Sequence, residues 1–256
     1  MLKLLRSNFT RILQSKTFWI CAALYLVFGF LVIMSKTSLL IFGAFFLLYI
    51  PTLDLGFNGS PFAGIIILIF VSVIIGANFK NNTIRNKISI GYSKSKIYLS
   101  NVLAFSICAV ALHLIQYLLY LAYVKYFDVP ASNIARDILW GTLNNILATI
   151  LYVSIYTAMI TNMRNTSSTI ICGVLLSGFA VIISYYIMFR YVIIREEDIW
   201  LYFLTLFPTG LETVITIDLP SLYNITPQIY PLLITLIMIA TVNAIGVKLF
   251  KKSNLN

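Results

Sequence analysis

Six long apolar runs divide this chain, and none carries a formal charge in its interior. They are Thr17–Met34, Phe62–Phe79, Asn101–Val124, a run from about Ile134 to Ile160, Thr169–Phe189 and about Pro231–Phe250. A helix needs about 20 such residues to cross the hydrocarbon core of a bilayer. Lipid offers no partner to backbone N–H and C=O groups, so a lone apolar run of this length crosses only as a helix. A charge at its centre would cost about 2.5–3.5 kcal/mol. The fold expected is therefore all-α: a polytopic membrane protein with six transmembrane helices, forming a single domain over residues 1–256.

Composition supports that class. Only 10% of residues are charged and 60% are hydrophobic, whereas a soluble domain carries roughly 25% charged residues. The net charge of +10 does not imply a nucleic-acid partner, because the charges are segregated between the apolar runs. Cys21, Cys108 and Cys172 each sit inside an apolar run, without a CxxC pair or a Cys/His cluster. They read as small packing residues, with no disulfide framework, metal site or bound cofactor on this chain. The first apolar run is not followed by a small-x-small cleavage signal, so a cleaved signal peptide is not expected.

Charge also orients the spans. With the N-terminus inside and six crossings, one side holds Lys3, Arg6, Arg11, Lys16, Lys80, Arg85, Lys87, Lys94, Lys96, Arg164, Lys248, Lys251 and Lys252, and no acid. The other side holds Lys36, Lys125, Arg136, Arg190 and Arg195 with all eight acids. Thirteen basic residues against five set both termini on the cytoplasmic side of a plasma membrane. Tyr117, Tyr120, Tyr123 and Tyr126 gather where the third span meets the outer boundary, as an interfacial aromatic belt does.

Three segments between the spans carry further meaning. Residues 1–16 set Leu4, Leu5, Phe9, Ile12 and Leu13 against Lys3, Arg6, Arg11 and Lys16, the pattern of a helix lying in the membrane interface. Leu39–Pro51 and Trp200–Ile217 look too short or too broken to cross and suit an interfacial or re-entrant hairpin, the second inside an outer region at 190–228 before the sixth span; the alternative is that one of them spans and inverts part of the topology. Residues 80–100, KNNTIRNKISIGYSKSKIYLS, are polar and basic. Ile84 and Ile88 share one face of a short helix, flanked by Arg85 and Lys87, and Gly91 permits a chain reversal before Tyr92. Such a segment either rests on lipid head groups or docks into a cytoplasmic partner.

That segment resembles the loop after the second span in the permease subunits of type 2 ATP-binding-cassette (ABC) exporters, whose flavour is N-x-T-I-R-N-x-I-x-x-G-x-S-K-x-x-x-Y-L-S. Here Asn81, Thr83, Ile84, Arg85, Asn86, Ile88, Gly91, Ser93, Lys94, Tyr98, Leu99 and Ser100 stand at those places. The basic N-terminal helix, the six spans and the broken run before the last span are also family habits. The resemblance implies that Thr83, Ile84, Arg85, Asn86, Ile88, Gly91, Tyr92 and Ser93 form the coupling helix that meets the ATPase. It implies two ATPase subunits that bind ATP and Mg, and a second permease copy or a sister permease. The chain has no G-x-x-x-x-G-K-[S/T] loop of its own, so it is not expected to be an enzyme. The Ile/Asn/Lys-rich composition looks bacterial, and small permeases of this kind commonly export amphipathic or antimicrobial peptides, or other hydrophobic substrates. The alternative is a membrane immunity or sensor component that binds a partner without transport.

Polar residues inside the spans are candidates of a different sort. His113 lies mid-span with Gln116 one turn on, a pair that suits a hydrogen bond between helices or a functional site. Ser72, Asn78, Asn144, Asn145, Ser154 and Ser184 either line a pathway or hold helices together. Glu196, Glu197 and Asp198 form an outer acidic cluster, read as a solvated loop or a place that receives or repels a charged substrate. Intramembrane Glu-rich proteases share the size and apolar content, but Glu196 and Glu197 lack the accompanying Arg, and His113 is the one histidine. Zinc and general-base chemistry lack their parts.

Overall fold

Helices form where the apolar runs lie, and the described breaks at 15, 81–82, 90–93 and 164–165 fall mostly on polar residues or glycine. The structure, a computed structural model, describes residues 1–35, 61–126, 134–194 and 229–253. Among these the chain is all-helical: α1 (Leu2–Gln14), α2 (Lys16–Ser35), α3 (Pro61–Lys80), α4 (Thr83–Ser89), α5 (Lys94–Tyr126), α6 (Ile134–Met163), α7 (Thr166–Ile194) and α8 (Ile229–Lys252). The short runs at 39–51 and 200–217 and the cluster Glu196, Glu197 and Asp198 lie outside the described residues.

Three of these helices are each long and apolar enough to cross a bilayer: Lys94–Leu119 in α5, Asn145–Met163 in α6 and Leu232–Lys252 in α8. Two bent pairs raise the number to five if each pair is one span: α1 with Lys16–Phe30, bent by 69°, and Gly64–Lys80 with α4, bent by 61°. In α7 the apolar helix Thr166–Ala180 is shorter than a span requires, although α7 runs on to Ile194.

Each break has a local cause. Pro61 opens α3 at the position where a missing N–H costs nothing. Asn82, at φ 54°, turns the chain from α3 into α4, and asparagine tolerates this left-handed conformation better than most residues. Gly91, at φ +97°, turns the chain just after α4 in a region that only glycine enters freely. Asn165 caps α7: its Oδ1 accepts from the N–H of Ser167 at 3.0 Å and of Ser168 at 3.4 Å. Between α1 and α2, the Trp19 indole Nε1 donates to the Leu13 carbonyl at 2.8 Å and braces the elbow.

The bundle is apolar outside and partly polar inside. One core joins α2, α3, α5 and α6 through Phe18, Tyr25, Leu68, Phe70, Phe105 and Tyr156. A second, at one end of the bundle, joins Leu4, Ile84, Ile97, Tyr98, Val102 and Phe250, with Ala158 packed against it. That end therefore collects α1, α4, the start of α5 and the ends of α6 and α8. Meanwhile Ile171, Leu175, Phe179 and Ile182 stand exposed along one face of α7, while Ser72, Asn78, His113 and Asn145 are buried. In water such an arrangement would expose apolar surface at full cost; in lipid the exposed face is solvated by acyl chains, and helices associate through packing and hydrogen bonds.

Candidate functional site

The second core is capped by a polar seam between α1, α4 and α5, and this seam is the most elaborate polar construction among the described residues. It starts from spacing. Asn8 and Arg11 are three apart on α1, and Thr83 and Lys87 are four apart on α4, so each pair shares a helix face. The two faces meet. The Asn8 amide donates to Ser100 Oγ at 3.0 Å and to Asn101 Oδ1 at 2.8 Å, and Lys87 Nζ donates to Asn8 Oδ1 at 2.5 Å. The Arg11 guanidinium donates to Thr83 Oγ1 at 3.3 Å. A single asparagine on the buried side of α1 thus joins three helices.

The electrostatics of the seam are unusual. Lys87 is only 9% exposed, and it lies close enough to Arg11 to feel its charge. Burial first, and the Arg11 charge second, pull the Lys87 ammonium from its ordinary 10.5 down to about 8. Burial likewise lowers Arg11. The unfolded chain keeps the Lys87 proton to higher pH than the folded chain does. Between about pH 8 and 10.5 the unfolded state therefore binds more protons, and stability rises with pH. From pH 7 to 9.5, thermal unfolding in lipid-free detergent should show wild type gaining about 1–2 kcal/mol relative to K87M. Parallel pH profiles for the two proteins would show that Lys87 carries no such penalty.

The other residues of the loop divide by face. Ile84 is buried in the second core, with Ile88 and Tyr92 packed against it. Arg85, Asn86, Gly91 and Ser93 are exposed, and Ile90 beside them is 75% exposed. Ser93 Oγ accepts from the Lys96 N–H at 3.4 Å and caps α5. Lys94 reaches the end of α8, donating to the carbonyls of Lys251 at 3.1 Å and Ser253 at 2.7 Å, where a cation meets the negative pole of a helix. Sequence reasoning set Lys87 beside Arg85 as a flanking charge; the structure exposes Arg85 and buries Lys87. It did not single out Asn8, Asn101 or Arg11 as site residues. Asn8 left one signal, a polar residue in the middle of the apolar stripe Leu4–Ile12.

Within the spans the polar candidates are distributed rather than gathered. His113 Nδ1 and Tyr25 Oη lie 3.2 Å apart, joining α5 to α2. One turn on, the Gln116 side chain occupies the space beside Gly29 that a Cβ would need. Ser154 Oγ accepts from Asn243 Nδ2 at 3.0 Å, joining α6 to α8, and Tyr156 Oη meets Ser177 Oγ at 2.8 Å, joining α6 to α7. Ser72, Asn78 and Asn145 are buried, and the side chains of Asn144 and Ser184 lie outside the described residues. A small apolar pocket between α2, α3 and α5, lined by Phe18, Cys21, Tyr25, Ile66 and Phe70, offers too few polar partners to order a water. Among the described residues no group of three His, Cys, Asp or Glu could hold a metal.

No family model matches the chain, and no curated protein matches it.

Proposed function

We propose that this chain is the permease subunit of an ATP-driven exporter, with six transmembrane helices and both termini in the cytoplasm of a bacterial cell. Energy comes from two copies of a separate ATPase that binds ATP and Mg, and the pathway forms with a second copy or a sister permease. The substrates proposed are amphipathic or antimicrobial peptides. The observation that carries the reading is the two-faced α4. Its inner face is tied to α1 and the second core, while Arg85, Asn86 and Ile90 present a mixed basic and apolar outer face.

The mechanism follows from what α4 is tied to. Two ATPases closing on ATP would push α4 from outside. Lys87 and Thr83 pass that push to α1, Asn8 passes it to α5, and Lys94 links α5 to the end of α8. Helices that move as packed units, rather than bending separately, suit a pathway that opens at one face and closes at the other.

The test uses exposed residues outside the second core. An I90E/R85E variant should lose at least about tenfold of its copurifying ATPase, as expected when an interface loses an apolar anchor and a charge. Its melting temperature should stay that of wild type. Undiminished ATPase association and peptide export in this variant would count against the exporter reading.

A further inference from the structure

Among the described residues the Arg11–Lys87 seam holds two cations and no anion. Lys87 Nζ has three N–H donors, of which one goes to Asn8, and the residue keeps a narrow opening, 9% of its surface. Arg11 spends one donor on Thr83. The one acid among the described residues is Asp137. It sits 21 residues before Ala158, which packs on the second core, so α6 places it roughly 30 Å away. A buried charge without a counter-charge costs several kcal/mol, and two like charges on one seam raise that cost.

The position of the seam selects the source of the missing anion. It lies where α2 begins and α3 ends, beside the elbow at which the exposed Trp19 is held against the Leu13 carbonyl. Leu2 and Leu13 on α1 are exposed. Tryptophan and an amphipathic basic helix mark the depth of lipid head groups. The geometry points to a phosphate-binding site between Arg11 and Lys87, filled by the head group of an anionic phospholipid from the adjacent leaflet. A phosphodiester there would accept from the open N–H groups of both cations in charge-assisted hydrogen bonds. The site is independent of whether an ATPase docks on α4.

The experiment measures the melting temperature of the full chain, delipidated in neutral detergent, with phosphatidylglycerol, with phosphatidylcholine or with inorganic phosphate. Phosphatidylglycerol should raise it by about 4 °C or more, as a ligand well above its dissociation constant does, and the other two additions should not. The half-buried Arg11 makes R11Q the decisive variant: it should fold and lose at least about half of that shift. K87Q should lose it too, whereas R6Q, on the exposed side of α1, should keep it. Equal shifts with both lipids, or a full shift in R11Q, overturn the proposal. A full shift with inorganic phosphate alone overturns its lipid source.

Discussion

Asn8→Leu should lower the stability of the protein by about 3–5 kcal/mol, the cost of leaving a buried charge without its partner. The two side chains share the same heavy-atom branching, and leucine, the larger, adds some crowding to the loss. What is lost is the acceptor of Lys87 and the donor to Ser100 and Asn101. Each of those groups remains buried, and a buried group stripped of its partner costs the full desolvation penalty. The melting temperature in detergent should fall by about 10 °C. The double variant N8L/K87M should recover much of the loss, because removing both partners leaves no orphaned charge. An N8L protein within 1 °C of wild type, or a double variant no better than the single, would show that the seam contributes little.

The helices were legible in the sequence because their cause is local. An apolar run of about 20 residues suffices, and Gly91 marks where α4 has to turn. The N-terminal helix was legible for the same reason, but its surroundings were not: of the stripe Leu4, Leu5, Phe9, Ile12 and Leu13, expected to lie in the membrane interface, Leu4 and Ile12 are buried in the two protein cores and Leu13 is exposed. Asn8 was not, because its partners Ser100 and Asn101 lie 92 and 93 residues away. Hydropathy alone assigns an asparagine to the exposed side. Lys87 was misplaced by the same logic: a lysine in a basic loop is a solvated charge until a neighbouring helix covers it.

Which side of a span faces protein was illegible for another reason. Leu68 is fully buried and Leu175 is 67% exposed, yet both are leucines in uniformly apolar helices. In lipid neither environment penalises them, so the alternation that reveals the faces of a soluble helix is absent. The markers that do report contact are polar or small residues. Tyr25 and His113, Gln116 and Gly29, Ser154 and Asn243 each fix one helix pair. Sequence named half of each pair and could not supply the other.

Gly246 is the small residue on which the largest steric effect should fall. It lies on α8 against Tyr98 of α5, and a Cβ there would overlap the tyrosine Oη and come within 2.7 Å of Cζ. Tyr98 is wholly buried among Leu4, Ile84, Ile97 and Phe250. A rigid ring in that setting has nowhere to turn, so the conflict must move α8 itself. Gly246→Leu should cost about 1–3 kcal/mol or more, as overpacked cores do. It should also weaken the contact between Lys94 and the last carbonyls of α8, because both depend on how closely the two helices approach. G246L/Y98A, which removes the ring, should restore part of the stability, whereas G246L with an unrelated core truncation such as L68A should lose further. Equal stability of G246L and wild type would mean that α5 and α8 are not held at this distance, and the transmission from α4 to α8 would lose its structural basis.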